Sequence, residues 1–286
     1  MQPHVVDLTR FGGDADFSLM PSLFAAELRD HIRAFTALVR LADRTADSPW
    51  LTREDKLSRL DALIAAVNGR AAATWSDEAF HAAEALRRSL TVTGVSARHI
   101  TRILVAFRGD VADTKPPRTW EDLLAYGREA AAPLGHHMLE LLGEDRNACQ
   151  DAADALCIGL RILKRLRDCR NVTWQFNRLC IPTQFMDDAL VSLQHLRAPS
   201  AKGQTRAVLD RVLDGVDRLL DEAEPLPHRV RTPGLKIHTA VVLCRGRKLA
   251  VRFRSEDPLQ GRVTLTPGER RKCRFGVIIR FMLGRL

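Results

Sequence analysis

Several features of secreted, β-sheet and membrane-spanning proteins are missing from this sequence. Tyrosine occurs once and aromatic residues make up 6% of the chain, and no alternation of apolar and polar residues persists as it does in strands. The six cysteines form no CxxC pair and no Cys/His cluster with zinc spacing, which indicates free cysteines in a reducing compartment. The amino terminus lacks a signal-peptide pattern, and no apolar run reaches the ~20 residues that span a bilayer. We therefore expect an all-α protein of the cytoplasm.

Positive charge is what the chain has in excess. Its 44 Lys and Arg against 35 Asp and Glu give a formal net charge of +9, which favours anionic partners: diphosphates, acidic lipid surfaces or nucleic acid. From Arg245 to the last residue, twelve Lys and Arg stand against three acids. Nucleic acid is not expected, because the chain shows neither a basic motif interleaved with aromatics nor a helix-turn-helix signal.

Apolar residues recur at helical spacing along most of the chain. One apolar face runs from Leu23 to Asp47, and Thr52 begins the next helix, which Asn68 and Gly69 close. Further helices are expected near 76–90, 96–110, 146–171, 185–196, 203–223 and 235–254, with a loop over 172–182 and a connector over 225–234. The pattern indicates a single helical domain over residues 1–286, with an irregular start over 1–15 and nine to twelve helices.

Two further helix boundaries follow from proline and from a capping motif. The helix that begins at Thr119 should be interrupted at Pro133, because proline lacks a backbone N–H. Thr266 and Glu269 have the spacing of a capping box, with Pro267 at the first helical position, and predict the start of a last helix.

Asp43 and Asp47 lie four residues apart near the end of the first apolar segment. On a helix their carboxylates share one face, about 5–6 Å apart at Cβ, and Arg40 precedes them on that face. Two acids at this spacing repel unless a cation lies between them, and hard oxygen ligands suit a Mg²⁺ ion that carries a substrate phosphate. A surface helix with a local Arg–Asp pair has the same spacing, and the pair alone favours that simpler interpretation.

Four segments in one order resemble a known family. They are Phe17 to Pro21, Arg40 to Asp47, Tyr126 to Gly135 and Leu166 to Asn171. Together they resemble the squalene/phytoene synthase family over about residues 15–275. Further motifs are similar to the bacterial hydroxysqualene synthase subgroup of hopanoid pathways: Asp154 to Cys157, and Asp257, Pro258, Leu259, Arg262 and Val263.

The resemblance implies a fold and a reaction. The family's fold is an isoprenoid-synthase-type helical bundle around a central apolar cavity, with Mg²⁺ held by two aspartate-rich helices at its mouth. The metal neutralises the departing diphosphate, and the dry pocket shields the carbocation. For the hydroxysqualene synthase subgroup the implied reaction is ionisation of presqualene diphosphate, rearrangement and capture by water, without NADPH.

The resemblance also implies roles for single residues. Asp43 and Asp47 match the first aspartate-rich motif and Asp168 the leading acid of the second, which implies catalytic metal ligands. Tyr126 matches a tyrosine near the reacting carbons that could hydrogen-bond water or orient the leaving group. The candidate substrate-binding residues are Ser18, Arg40, Arg44, Asn171 and Arg178. A buried phenol with a partner, for Tyr126, and a surface cation, for Arg178, stay open as alternatives.

The chain departs from the family pattern at several positions. Val172 stands where the second motif should end in an acid, and Asn171 precedes it. Arg44 replaces an acid beside Asp43. Family tyrosines are replaced at three further positions: Thr36, Pro116 and Cys180.

Two hypotheses accommodate these departures. Arginines gripping the diphosphate could partly substitute for a lost metal, with Arg44, Arg167 and Arg170 as candidates. The chain would then be an enzyme acting on an isoprenoid diphosphate, which is the leading hypothesis. In the second hypothesis the site has decayed, and the fold serves as a scaffold or assembly factor that binds lipid or protein.

The last helix carries the basic tail. It is rich in Arg on one side, with Phe275, Ile278, Phe281 and Met282 on the other. A basic amphipathic helix of this kind is expected to lie on an anionic membrane surface from which the substrate is drawn. The protein would then be peripherally membrane-associated and could meet partner enzymes of the same pathway there.

Overall fold

The computed structural model describes residues 16–70, 77–112, 115–168 and 181–286, and these ranges contain helices and no strand. The α-helices are α1 (Ala26–Asp47), α2 (Arg53–Val67), α3 (Asp77–Thr93), α4 (Arg98–Ala112), α5 (Trp120–Ala130), α6 (Ala132–Leu141), α7 (Arg146–Arg167), α8 (Thr183–Asp188), α9 (Leu193–Leu196), α10 (Gln204–Glu222), α11 (Leu226–Arg229), α12 (Pro233–Ser255) and α13 (Pro267–Met282). A 3₁₀ turn, Pro21–Leu23, precedes α1. The all-α prediction is confirmed.

The helix boundaries predicted from caps and proline are confirmed. Thr266 Oγ1 accepts a hydrogen bond from the Glu269 backbone N–H at 3.2 Å, and Glu269 Oε2 accepts from the Thr266 N–H at 2.7 Å. This capping box satisfies two of the N–H groups that a helix start leaves without partners. Ala131 separates α5 from α6, and Pro133 lies in the first turn of α6.

Two predicted elements differ from the structure. The helix expected near 185–196 is the pair α8 and α9, because Leu190 adopts a left-handed backbone (φ 55°) that ends the helical path. The connector expected over 225–234 contains α11 and the start of α12. These short helices raise the count in the described ranges to thirteen α-helices, above the expected nine to twelve. Most of the predicted loop 172–182 lies outside the described residues.

Two hydrophobic cores lie side by side. The first belongs to α1–α4 and includes Phe35, Leu38, Leu60 and Phe107. The second centres on α7, which packs against α6, α10 and α12. Tyr126 on α5 packs against both cores, so α5 lies at their junction.

Two sequence-based expectations concern cysteines and membrane spans. Cys149, Cys157, Cys244 and Cys273 are free, as expected, and Cys169 and Cys180 lie outside the described residues. Among the described helices, none combines the length and apolarity that crossing a bilayer requires.

Candidate active site

A cavity of about 440 Å³ lies where the two cores meet. That volume is within the range of small-molecule sites. Most of its wall is apolar: Ile103, Phe107, Leu134, Met138, Leu139, Leu156, Leu160, Leu235 and Val242. Six basic residues also line it: Arg40, Arg44, Arg161, Lys164, Arg167 and Arg262. We call these six the cationic lining. Asp43 is the only carboxylate among the described residues that line the cavity.

Asp43 is paired with two cations of the cationic lining. Its Oδ1 accepts a hydrogen bond from Arg161 Nη1 at 2.9 Å, and its Oδ2 accepts one from Lys164 Nζ. Burial by itself raises the pKa of Asp43, but the charges and hydrogen bonds of Lys164 and Arg161 outweigh burial and hold the pKa well below its usual value. Asp43 is therefore ionised, and each of its two oxygens is occupied.

Arg161 belongs to a second network through Tyr126. The Tyr126 hydroxyl donates to Asp110 Oδ2 at 2.6 Å and accepts from Arg165 Nη2 at 2.7 Å and Arg161 Nη2 at 3.2 Å. The Arg161 guanidinium also lies 4.9 Å from the centroid of the Phe107 ring, a cation–π contact. Tyr126 lies beside the cavity and is not one of the residues that line it. Its hydroxyl, committed to three partners, positions Arg161; a direct role at the reacting carbons stays a prediction.

The substrate-binding candidates on the amino-terminal side meet at the cavity. Ser18, Arg40 and Arg44 all line it. Arg40 Nη2 donates to Ser18 Oγ, and Arg44 Nη2 donates to Glu78 Oε1 of α3 at 2.5 Å. Both arginines stand on the face of α1 that carries Asp43. Asn171 and Arg178, as well as Arg170 and Val172, lie outside the described residues.

Asp168 and Asp47 come near each other from opposite ends of the sequence. Burial raises the pKa of the Asp168 carboxyl and the charge of Asp47 raises it further, whereas Arg167, Arg262 and Lys164 lower it. Asp168 Oδ1 forms ion pairs with Arg262 Nε at 3.5 Å and with Arg167 Nε at 3.9 Å. The acids of α1 and of the end of α7 thus approach each other beside the cationic lining, and the roles as metal ligands expected for Asp43, Asp47 and Asp168 stay predictions. Neither Asp47 nor Asp168 lines the cavity.

The described residues do not fit the predicted Mg²⁺ site. No group of three or more His, Cys, Asp or Glu in the described ranges could hold a metal ion. Asp43 is already paired with the two cations Arg161 and Lys164, whose charges disfavour a metal ion at the same carboxylate. The segment from Cys169 to Cys180 contains no Asp or Glu in its sequence. Mg²⁺ therefore stays a prediction that this donor set does not support.

His238 on α12 is a polar residue in the otherwise apolar wall. It is buried, it lines the cavity, and its Nδ1 has no hydrogen-bond partner among the described residues. Burial, together with the charge of Arg245, lowers the pKa of His238 to about 4. The imidazole is thus neutral at physiological pH.

Sequence reasoning missed Arg161, Lys164, Asp110 and His238. The signal for the first two was their spacing from Asp168: positions four and seven residues earlier share a helix face with it. Asp110 and His238 carry no such signal, because only the packing of α4 and α12 brings them to the site.

Comparison with known proteins supplies the family. The family model for squalene/phytoene synthase matches residues 12–269. This chain belongs to that family. The squalene/phytoene synthase assignment predicted from the motifs is thereby confirmed.

Sequence relatives within the family are named hydroxysqualene synthases. This chain is 31% identical to the hydroxysqualene synthase of Rhodopseudomonas palustris over 265 aligned residues. The alignment covers 93% of this chain and 88% of the relative. This chain is 32% identical over 238 residues to the hydroxysqualene synthase of Sinorhizobium fredii, covering 83% and 79%.

Solved structures of the family share the fold. The squalene synthase HpnC from Alicyclobacillus acidocaldarius superposes with a TM-score of 0.68 at 24% identity, covering 82% of this chain and 86% of that one. A dehydrosqualene synthase in complex with a ligand gives a TM-score of 0.74 at 17% identity, covering 92% and 90%. The isoprenoid-synthase-type bundle expected from the sequence is thus confirmed.

Proposed function

We propose that this squalene/phytoene synthase family member acts in isoprenoid biosynthesis, ionises presqualene diphosphate and captures the rearranged carbocation with water. The observation that carries the proposal is the cavity, whose apolar wall ends at a cationic lining. The hydroxysqualene synthase relatives at 31% and 32% identity support the choice of substrate.

The chemistry needs two environments, and the cavity offers both. Heterolysis of the carbon–oxygen bond leaves the electron pair on the diphosphate and creates a cyclopropylcarbinyl cation, which rearranges by ring opening to an allylic cation. Fixed positive groups stabilise the charge that develops on the departing oxygens. Apolar walls such as those formed by Phe107, Leu134 and Leu160 keep bulk water from quenching the cation early. One water then adds to the cation and loses a proton, so no reductant is consumed.

The residues at the cationic end have separate tasks. Arg161 and Lys164 of α7 face the cavity and are held in place by Asp43. Tyr126 and Asp110 fix the far side of Arg161 and the neighbouring Arg165. Rigid cations of this kind lose little entropy when the leaving group forms.

Product analysis tests the proposal. Purified, folded protein is incubated with presqualene diphosphate, in separate reactions with Mg²⁺ and with EDTA, and the extract is analysed by mass spectrometry. The expected product is hydroxysqualene, a thirty-carbon alcohol. A matched variant, Leu160→Trp, fills the apolar wall and should lose the product while keeping the helical circular dichroism spectrum. If the folded wild-type protein gives no product in either reaction, the non-catalytic binding hypothesis replaces this one.

We also propose that α13 rests on an anionic membrane surface. The exposed apolar residues of α13 and its C-cap are Phe275, Ile279, Met282 and Leu283, at helical spacing i, i+4, i+7 and i+8. This row differs from the predicted one, because Ile278 and Phe281 are half-buried. Exposed basic residues flank it: Arg271, Lys272, Arg274, Arg280 and Arg285. Cations beside an exposed apolar stripe suit anionic headgroups above acyl chains.

Liposome flotation tests the membrane contact. The protein should float with vesicles of phosphatidylglycerol and remain unbound with phosphatidylcholine alone. Ile279→Glu should abolish flotation, whereas Val105→Glu, on an equally exposed position of α4, should not. Flotation that is the same with and without the anionic lipid would contradict the proposal.

A further inference from the structure

The charges that line the cavity point to how its anionic ligand is held. Six basic residues face one carboxylate there. Three acids behind the lining also pair with these cations, namely Glu78 with Arg44, Asp16 with Arg167 and Asp168 with Arg262, so six cations meet four carboxylates and positive charge remains in excess. A divalent cation entering this lining would meet repulsion. An anion with three negative charges would instead be attracted by the cationic lining.

Asp43 has a geometry suited to holding two basic side chains rather than a metal ion. It contacts Arg161 and Lys164 at once, one through each oxygen. One negative charge between two positive groups fixes both in place and still leaves one charge uncompensated. Each Asp43 oxygen keeps a second lone pair, but a Mg²⁺ ion bound there would lie directly beside the positive charges of Arg161 and Lys164.

Some hydrogen-bond donors of Arg161 and Lys164 are left for a ligand. Arg161 uses Nη1 on Asp43 and Nη2 on Tyr126, and its buried Nε has no hydrogen-bond partner among the described residues. Lys164 carries three donors, of which the structure shows one bonded to Asp43. A buried donor such as Arg161 Nε is normally satisfied, whereas the partly exposed Lys164 Nζ can reach a ligand in the cavity. Phosphate oxygens are strong acceptors for guanidinium and ammonium groups.

We propose that the diphosphate binds directly to the cationic lining, with Arg161 and Lys164 at its centre, and needs no bridging Mg²⁺. In this arrangement Asp43 is a positioning residue. The inference deepens the proposed function, on which it rests for the identity of the hydrocarbon part, whereas the anion-binding step itself requires only the cations.

Inorganic pyrophosphate is the probe, because it tests the anion-binding step without the hydrocarbon part of the substrate. Its binding to the full chain is measured by isothermal titration calorimetry in EDTA and again with Mg²⁺, with the free pyrophosphate corrected for its magnesium complex. We expect binding in EDTA that Mg²⁺ does not strengthen. The affinity should fall as the salt concentration rises, because exposed parts of the site are screened.

Variants locate the binding. Lys164→Met should weaken pyrophosphate binding in EDTA by about tenfold or more, the loss of one charge-assisted hydrogen bond, and Lys164→Arg should retain most of it. Arg254→Met is the control: it removes one positive charge that pairs with Asp214 and Asp217 on α10, and it should leave the affinity unchanged. If Lys164→Met does not fold, as judged by circular dichroism, Lys164→Gln takes its place.

Asp43→Asn distinguishes a positioning residue from a metal ligand. Under our proposal this variant keeps pyrophosphate binding in EDTA within about fivefold, because the cations remain. Binding that requires Mg²⁺ and disappears in Asp43→Asn would overturn the inference, as would binding insensitive to Lys164→Met. A protein that binds pyrophosphate in EDTA and gives no product from presqualene diphosphate contradicts the proposed function and supports the inference. A protein that gives product only with Mg²⁺ does the reverse.

Discussion

Asp43 and Arg161 are 118 residues apart in the sequence, and their side chains form a salt bridge of 2.9 Å at the edge of the cavity. The contact joins α1 of one hydrophobic core to α7 of the other. Lys164, one turn further along α7, binds the second oxygen of the same carboxylate. The first acid of the Asp43/Asp47 pair thus links two helices through cations.

Asp43→Asn should destabilise the fold. It leaves Arg161 and Lys164, with side chains 12% and 21% exposed, without their counter-ion. Removing one partner of a largely buried pair is costly, and with the remaining exposure we expect a loss of about 2 kcal/mol in the free energy of unfolding. Urea denaturation followed by circular dichroism measures it. The double variant Asp43→Asn, Lys164→Met should recover part of the loss; purely additive losses would contradict the link.

Tyr126→Phe should disturb the site through Arg161. The change removes a hydroxyl that bridges Asp110, Arg165 and Arg161, and it should lower the free energy of unfolding by about 1–2 kcal/mol. Since the hydroxyl positions a cation for the leaving group, kcat should fall more than KM rises. Steady-state kinetics on presqualene diphosphate check this. If Tyr126 touched the reacting carbons instead, the product distribution would also change.

Gly127 sets the distance between α5 and α7. A Cβ at this position would lie 2.8 Å from Ile158 Cγ2, so Gly127→Ala should force the helices apart and cost about 1–3 kcal/mol of stability. The matched control is Gly109→Ala, on an exposed turn of α4 with nothing within 4 Å of the added Cβ. Gly109→Ala should raise the free energy of unfolding by about 0.5–1 kcal/mol. Equal effects of the two substitutions on thermal denaturation would contradict the packing described here.

Stability should fall as the pH drops from 7 to 5, and His137 is one cause. Its ring stacks on Phe35 at 3.6 Å, and neither nitrogen has a hydrogen-bond partner among the described residues. Burial, and then the charge of His99, lowers the pKa of His137 to about 3, while Glu140 raises it slightly. Between that pKa and the unfolded value of 6.5, the unfolded chain binds a proton that the folded chain does not, so folding is disfavoured as pH falls.

His137→Phe isolates this effect. It keeps the stack on Phe35 and should remove about 2 kcal/mol from the stability difference between pH 7 and pH 5. Urea denaturation at the two pH values measures that difference in both proteins. His238, whose pKa is also lowered, remains in the variant and keeps part of the dependence. An unchanged pH dependence in His137→Phe would contradict the assignment.

Much of the fold follows from local sequence rules. Thr266, Glu269 and Pro133 determine helix boundaries through groups within a few residues, so the sequence could predict them. The break at Leu190 could not be predicted, because a leucine gives no signal for a left-handed backbone. The predicted apolar row of α13 is correct at Phe275 and Met282 only. The packing of α13 on α12 decides that Ile278 points inward and Ile279 outward, and the local sequence does not reveal that packing.

The site was predictable where it rests on motifs and unpredictable where it rests on packing. Ser18, Arg40 and Asp43 belong to sequence motifs and meet at the cavity. Their partners on α7 were not predicted, since a strong apolar pattern drew attention to its leucines rather than to Arg161 and Lys164. The charge balance of the cavity depends on which helix faces meet, and no single segment reveals it.

The most direct test is the conversion of presqualene diphosphate by folded protein in EDTA, with Lys164→Met measured beside it. We expect hydroxysqualene from the wild-type protein and about a tenfold or greater loss of kcat/KM in the variant. No alcohol from the folded wild-type protein, with or without added Mg²⁺, would contradict the proposed function.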